Sequence, residues 1–204
     1  VNLPNLITIS RLVITAGVFV CLELAPVREW IWVGPYDLES RVASVNVPLV
    51  WTAFTLFLVA AITDFLDGWL ARRWNLVTAF GRVADPFADK VLIAGSLITL
   101  LQFPAATTVL TTWYVVVVIA REFLVTAIRG VVEASGKPFP ADRLGKWKMV
   151  SQCWTVAALI TMVTGTGFWL WAAQWGFWIS LGLTVVSGLN YVVKARDVLF
   201  AGAR

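Results

Sequence analysis

Histidine is absent from the 204-residue chain. Proton transfer or metal binding must therefore rest on carboxylates, lysine, tyrosine or backbone, because the side chain that titrates near neutrality is missing. Cysteine is scarce: Cys21 and Cys153 each sit in an apolar run without a CxxC neighbour. They read as packing residues, not as a redox or metal pair. Charge is scarce as well, at 14% of residues where about 25% is usual. Apolar residues reach 59% against about 45–50% in soluble domains, and the mean hydropathy is +0.81. These shortages exclude a cytosolic enzyme, a disordered regulator, a collagen-like fibre and a disulfide scaffold. An integral membrane protein remains.

What is abundant fits that class. Twelve tryptophans accompany three tyrosines, and Trp30, Trp32, Trp69, Trp74, Trp147, Trp169 and Trp171 lie near the ends of apolar runs, as in an interfacial belt. A bilayer core of about 30 Å takes roughly 20 helical residues. The uncharged runs Val91–Ala120 and Met149–Val193 are too long for one span each, and break at Pro104 and at Gly165-Thr166-Gly167. The most economical reading is all-α: a polytopic chain of six transmembrane helices at about 5–25, 46–66, 86–103, 108–131, 146–164 and 169–194. Pro4 suits the first turn of the first helix. That helix is too long, and its start too poor in basic residues, for a signal peptide. With no linker or repeat, residues 1–204 are expected to form one transmembrane domain.

The formal charge of +4 could suggest nucleic acid. In a membrane chain it first reflects loop asymmetry. Thirteen basic residues, from Arg72 to Arg204, fall on one side, against Arg28 and Arg41 on the other. The positive-inside rule puts the crowded side and both termini in the cytoplasm. No nucleic-acid partner is expected.

The informative segment is Asp64-Phe65-Leu66-Asp67-Gly68-Trp69-Leu70-Ala71-Arg72, then eight residues, then Gly81-Arg82-Val83-Ala84-Asp85-Pro86-Phe87-Ala88-Asp89. Asp64 and Asp67 are spaced i, i+3 at the end of the second helix. Asp85 and Asp89 are spaced i, i+4 at the start of the third, with Pro86 in its first turn. Each pair shares a helix face. Solvated helix ends would not need four acids in two such pairs where burial is costly. Facing one another, the pairs repel unless cations hold them, and hard oxygen ligands suit Mg²⁺ or Mn²⁺. Gly68 and Gly81 allow close approach to the backbone, and Arg72 is within reach of a pyrophosphate. A divalent-cation transporter would also carry intramembrane acids. Here they cluster at one membrane edge instead of along a path.

The spacing D-x2-D-G-x2-A-R-x8-G-x3-D-x3-D resembles the signature of the CDP-alcohol phosphatidyltransferases, and Asp64 to Asp89 matches it without a gap. The resemblance implies a six-helix membrane enzyme of the CDP-alcohol phosphotransferase fold, usually a homodimer, with a polar cavity open to the cytoplasm. Such enzymes transfer a substituted phosphate from a CDP-linked lipid to an alcohol and release CMP. It implies two metal ions on Asp64, Asp67, Asp85 and Asp89, with Asp89 also the base. It places Asp64, Gly68, Ala71, Arg72, Thr78 and Gly81 at the cytidine diphosphate. The chemistry agrees: leaving CMP needs neutralised charge, and without histidine a carboxylate is the natural acceptor of the alcohol's proton.

The alcohol is read from the basic residues. Arg121 lies in an otherwise apolar helix and needs an anion or a partner such as Glu122. Arg129 follows two turns later, and Gly145-Lys146-Trp147-Lys148 opens the fifth helix. Basic residues beside an acid site suit a phosphorylated acceptor; the competing reading is snorkelling at the interface. Asn2-Leu3-Pro4-Asn5-Leu6-Ile7-Thr8 with Arg11, the run Arg121 to Arg129, and Gly145 to Lys148 resemble the bacterial phosphatidylglycerophosphate synthases within that family. This implies CDP-diacylglycerol and sn-glycerol 3-phosphate as substrates, in a bacterial inner membrane and amid its lipids. It places Thr8, Arg11, Arg121, Arg129, Lys146 and Lys148 at the acceptor phosphate. Cardiolipin, inositol-phosphate and serine transferases share the acid motif, so the acceptor is the open choice. The chain departs from the resemblance in its long first external loop at 26–45, its tryptophan-rich last span and Gly130.

Overall fold

A computed structural model describes residues 3–32, 38–74, 79–135, 143–165 and 167–199, and side chains for 6–27, 44–64, 84, 86–135, 143–165 and 167–196. Helix α1, Leu3–Leu24, opens with Pro4 in its first turn. It buries one stripe, Thr8, Arg11, Thr15, Val18 and Leu22, at spacings of three and four that keep a helix face together. The segment after it, expected as a loop, forms an antiparallel hairpin of β1, Pro26–Trp32, and β2, Leu38–Val45. Pro26 pairs with Val45 and Trp32 with Leu38. The β-branched and aromatic residues of Val27 to Trp32 favour a pleated strand, so the chain makes its own backbone bonds there. The Asn46 N–H donates to the Ala25 carbonyl at 2.8 Å and closes the hairpin base. Asn46 Oδ1 also accepts from the Leu49 N–H at 3.3 Å and caps the next helix.

That helix, α2, runs from Val47 to Trp74, 28 residues, or about 42 Å at 1.5 Å per residue. It buries Val50, Ala53, Phe57 and Ala60 and exposes Trp51, Leu58, Val59 and Ile62. It continues eight residues past the expected end, because α2 outruns the hydrocarbon that a hydropathy window detects. Helix α3, Ala79–Leu100, begins seven residues before its expected start, so Pro86 lies inside it and not in its first turn. A membrane helix tolerates an interior proline where neighbouring groups satisfy the freed carbonyl. Asp85 and Asp89 therefore lie in the second and third turns.

The break expected at Pro104 is present: Pro104 starts the short helix α4, Pro104–Thr107. Helices α5, Thr112–Ala134, α6, Arg143–Met162, and α7, Gly167–Leu199, follow. The second expected break falls between α6 and α7 at Gly165, whose φ of +87° suits a residue without Cβ. Among the described residues, six helices have 20 or more residues, near the six expected positions. Stretches in α1, α2 and α7 (Leu6–Leu24, Val47–Asp64 and Gly167–Arg196) are long and apolar enough to cross a bilayer. The chain is an all-α polytopic membrane protein apart from its hairpin, with at least three candidate spans.

Helix α1 packs on α2 and α3, α6 on α7, α5 on α7, and α2 and α3 on α6. The apolar core runs through these contacts, and Cys21 and Cys153 pack against it as free thiols. Of the belt tryptophans with described side chains, Trp147 and Trp171 are exposed and Trp169 is half-buried. The face of α7 toward α5 and α6 carries Gly176, Ser180, Thr184, Ser187, Gly188 and Tyr191, a run of small and polar residues that lets helices close in and hydrogen-bond across the seam. Tyr114 Oη and Ser180 Oγ lie 2.6 Å apart, Thr155 Oγ1 donates to Ser180 Oγ at 3.3 Å, and Gln152 Nε2 donates to Thr184 Oγ1 at 3.1 Å. A Cβ on Gly176 would stand 3.2 Å from Thr155 Cα.

Candidate active site

The seam of α5, α6 and α7 leads to the charged end of the bundle. There a cavity of about 700 Å³ opens between α3, α5, α6 and α7. Asp89 and Lys90 reach it from α3, Arg121, Glu122 and Arg129 from α5, Lys146 and Lys148 from α6, and Tyr191 from α7. Five basic residues line it against the acids Asp89, Glu122 and Glu133. The surplus is positive and suits an anion.

Two of the four motif acids have described side chains. Asp64, half-buried on α2, forms an ion pair with Arg11 of α1, whose side chain is 1% exposed. A buried guanidinium needs such a counter-charge. Asp89 is half-buried, and its carboxylate feels the charges of Lys148, Glu122, Arg11 and Lys90. The side chains of Asp67, Gly68, Ala71, Arg72, Gly81 and Asp85, and Thr78 altogether, lie outside the described residues. Among the described residues no group of three or more His, Cys, Asp or Glu could hold a metal ion. The chemistry of the motif nonetheless fits a divalent cation. Its four carboxylates are hard oxygen donors, and Asp64 already draws a buried cation toward itself.

The basic residues expected at an acceptor phosphate divide between two places. Arg121, Arg129, Lys146 and Lys148 share the cavity with Asp89. Thr8 and Arg11 lie on the buried face of α1, with Arg11 turned to Asp64. Arg121 is held from three directions. Its Nη1 donates to Glu122 Oε1 at 3.1 Å, its Nη2 donates to Ser187 Oγ at 3.0 Å, and its guanidinium lies over the Tyr191 ring, 5.6 Å from the centroid. Its stem crosses α7 at Gly188, where a Cβ would stand 3.2 Å from Arg121 Cγ. Arg129 Nη2 donates to Tyr191 Oη at 3.5 Å. The buried Nε atoms of Arg121 and Arg129 have no hydrogen-bond partner among the described residues.

Three lining residues escaped the sequence reading as site residues. Glu122 accepts from Lys148 Nζ as well as from Arg121; a carboxylate inside an apolar helix was the available signal. Lys90 donates to Thr126 Oγ1 across α3 and α5. Tyr191, near the end of a 45-residue uncharged run, could have been found from its helical spacing to Ser180, Thr184 and Ser187.

The family model described as CDP-alcohol phosphatidyltransferase matches residues 1–186. A protein of Bacillus subtilis (strain 168) named CDP-diacylglycerol–glycerol-3-phosphate 3-phosphatidyltransferase is 38% identical over 203 residues, covering 97% of each chain. A Rickettsia felis protein of the same name is 31% identical over 193 residues, 93% of each chain. An Arabidopsis thaliana chloroplastic/mitochondrial relative, also a CDP-diacylglycerol–glycerol-3-phosphate 3-phosphatidyltransferase, is 37% identical over 172 residues, 78% of this chain and 58% of its own length. With the acidic signature on α2 and α3 and a family match over most of its length, the chain belongs to the CDP-alcohol phosphatidyltransferase family.

Proposed function

We propose that the protein transfers the phosphatidyl group of CDP-diacylglycerol to sn-glycerol 3-phosphate, giving phosphatidylglycerophosphate and CMP. The observation that carries this reading is the cavity that gathers Arg121, Arg129, Lys146 and Lys148 beside Asp89. A cationic pocket beside a carboxylate suits an acceptor that has both a phosphate to bind and a hydroxyl to deprotonate. The full-length match to relatives of that name supports the same acceptor.

In this reading Arg121, Arg129, Lys146 and Lys148 hold the acceptor phosphate, with Thr8 and Arg11 bordering the site from α1. Arg72, Gly68, Ala71, Thr78 and Gly81 surround the cytidine diphosphate. Asp89 takes the proton of the acceptor hydroxyl as its oxygen bonds to the lipid-side phosphorus, and the bond from that phosphorus to CMP breaks. Asp64, Asp67, Asp85 and Asp89 would hold two Mg²⁺ or Mn²⁺ ions, which supply positive charge to the diphosphate and to the departing phosphate. The chain works as a single six-span domain and as a homodimer in the bacterial inner membrane, with termini and cavity on the cytoplasmic side. The asymmetry of basic residues supports that orientation.

The test is CMP release by detergent-purified protein with CDP-diacylglycerol and a panel of alcohols. Glycerol 3-phosphate should be the preferred acceptor and plain glycerol a poor one. Preference for inositol phosphate, phosphatidylglycerol or serine would overturn the acceptor assignment, and cation transport without CMP release would overturn the enzyme.

A further inference from the structure

The cations assigned to the acceptor phosphate are already tied to a protein carboxylate. One oxygen of Glu122, Oε1, accepts from Arg121 Nη1 on its own helix and from Lys148 Nζ on α6. Lys148 is only 6% exposed. An ammonium buried to that degree keeps its proton and its place only beside a counter-charge. Arg121 is fixed at its other nitrogen by Ser187 of α7. Glu122 thus links three helices at the cavity wall, and it brings two positive groups onto one oxygen that would otherwise repel each other.

We infer that Glu122 is a positioning residue for the acceptor: it holds Lys148 and Arg121 together, so that both present donors to one phosphate. This rests on the proposed phosphorylated acceptor. A carboxylate beside a phosphate site also repels the ligand. Positioning dominates here, because Glu122 already spends its charge on two cations and Lys148 is almost wholly buried.

The experiment is steady-state CMP release by full-length protein in detergent with saturating Mg²⁺, comparing the native chain with Glu122→Gln, Lys148→Met and the double variant. Native turnover with glycerol 3-phosphate is measured first; its failure sinks the acceptor reading, independently of Glu122. Given that turnover, Glu122→Gln should raise the acceptor KM about 10- to 100-fold, the range of a lost charged hydrogen bond. The KM for CDP-diacylglycerol should stay within about threefold, and most of the preference for glycerol 3-phosphate over glycerol should disappear. A purely structural ion pair would lower performance with both acceptors and leave that preference standing. Because Glu122 acts through Lys148 and Arg121, the loss in the double variant should be clearly less than the sum of the two single losses. Glu122→Asp, which keeps the charge with a shorter reach, should fall between native and Glu122→Gln. A lowered or unchanged acceptor KM, an equal rise for both substrates, retained preference or additive losses would each overturn the inference.

Discussion

Gly188→Ala separates the position of Arg121 from the stability of the helix that supports it. The new Cβ would stand 3.2 Å from Arg121 Cγ, where carbon atoms prefer about 3.5–4.0 Å. Either α5 and α7 part or the arginine stem moves by roughly half an ångström. The guanidinium bonds to Glu122 and Ser187, at 3.1 and 3.0 Å, would then stretch toward the edge of hydrogen-bond range. Weakening them costs about 0.5–1.5 kcal/mol, a rise of about 2- to 13-fold in the acceptor KM. The same substitution favours the helix by up to about 1 kcal/mol, since glycine is a poor helix former. The two effects on stability roughly cancel, so acceptor binding should weaken while the thermal midpoint stays near the native value. Gly182→Ala on the same helix, where a Cβ meets nothing within 4 Å, serves as the control and should leave the kinetics unaltered. The assay is CMP release at saturating CDP-diacylglycerol with varied glycerol 3-phosphate, beside thermal unfolding in the same detergent. An unchanged acceptor KM in Gly188→Ala, or an equal rise in the lipid KM, would refute the reasoning.

Asp89→Asn should keep the fold and CDP-lipid binding while turnover falls about 10²- to 10⁴-fold, the usual contribution of a positioned base; near-native turnover with metal saturated would remove it from that role. Excess chelator should abolish activity and Mg²⁺ or Mn²⁺ restore it, with Ca²⁺ a poor substitute because of its larger, looser shell; full activity in chelator would count against the metal assignment. Arg129→Ala should raise the acceptor KM about 10- to 150-fold through the loss of a charge-assisted bond of about 1.5–3 kcal/mol, with the lipid KM little changed. Equal effects on both substrates would place the acceptor phosphate elsewhere.

The breaks at Pro104 and Gly165 were legible because each residue ends a helix by its own covalent geometry. The acid pairs were legible from spacing along single helices. The joint length of α2 and α3 was not, since Asp67, Arg72, Arg73, Arg82 and Asp85 interrupt the apolar pattern and hydropathy reports only what lies in hydrocarbon. Pro86 misled for a related reason: its preference for a first turn is local, and the packed bundle overrode it. The hairpin at 26–45 stayed hidden among segments classed by length and charge. The bond between Glu122 and Lys148 joins residues 26 apart in the chain. Only the packing of α5 and α6 on α7 brings them together, and no local pattern encodes it. Arg11 is the counterpart: its place on a buried stripe could be read, but its turn toward Asp64 depends on how α1 leans on α2.

The length of α2 bears on how a lipid would reach the acids. Asp64 follows Val47 by seventeen residues, about 26 Å of helix, close to the thickness of the hydrocarbon itself. In the proposed reaction a carboxylate at that height would stand level with lipid headgroups, and a diphosphate carried by a diglyceride would arrive there by sliding sideways within its leaflet. The acyl chains stay in oil throughout, and no free energy goes into lifting them toward water at about 0.8 kcal/mol per CH₂. On that proposal the search would be two-dimensional for the lipid and three-dimensional for the soluble acceptor, and the two would meet at the mouth of the cavity.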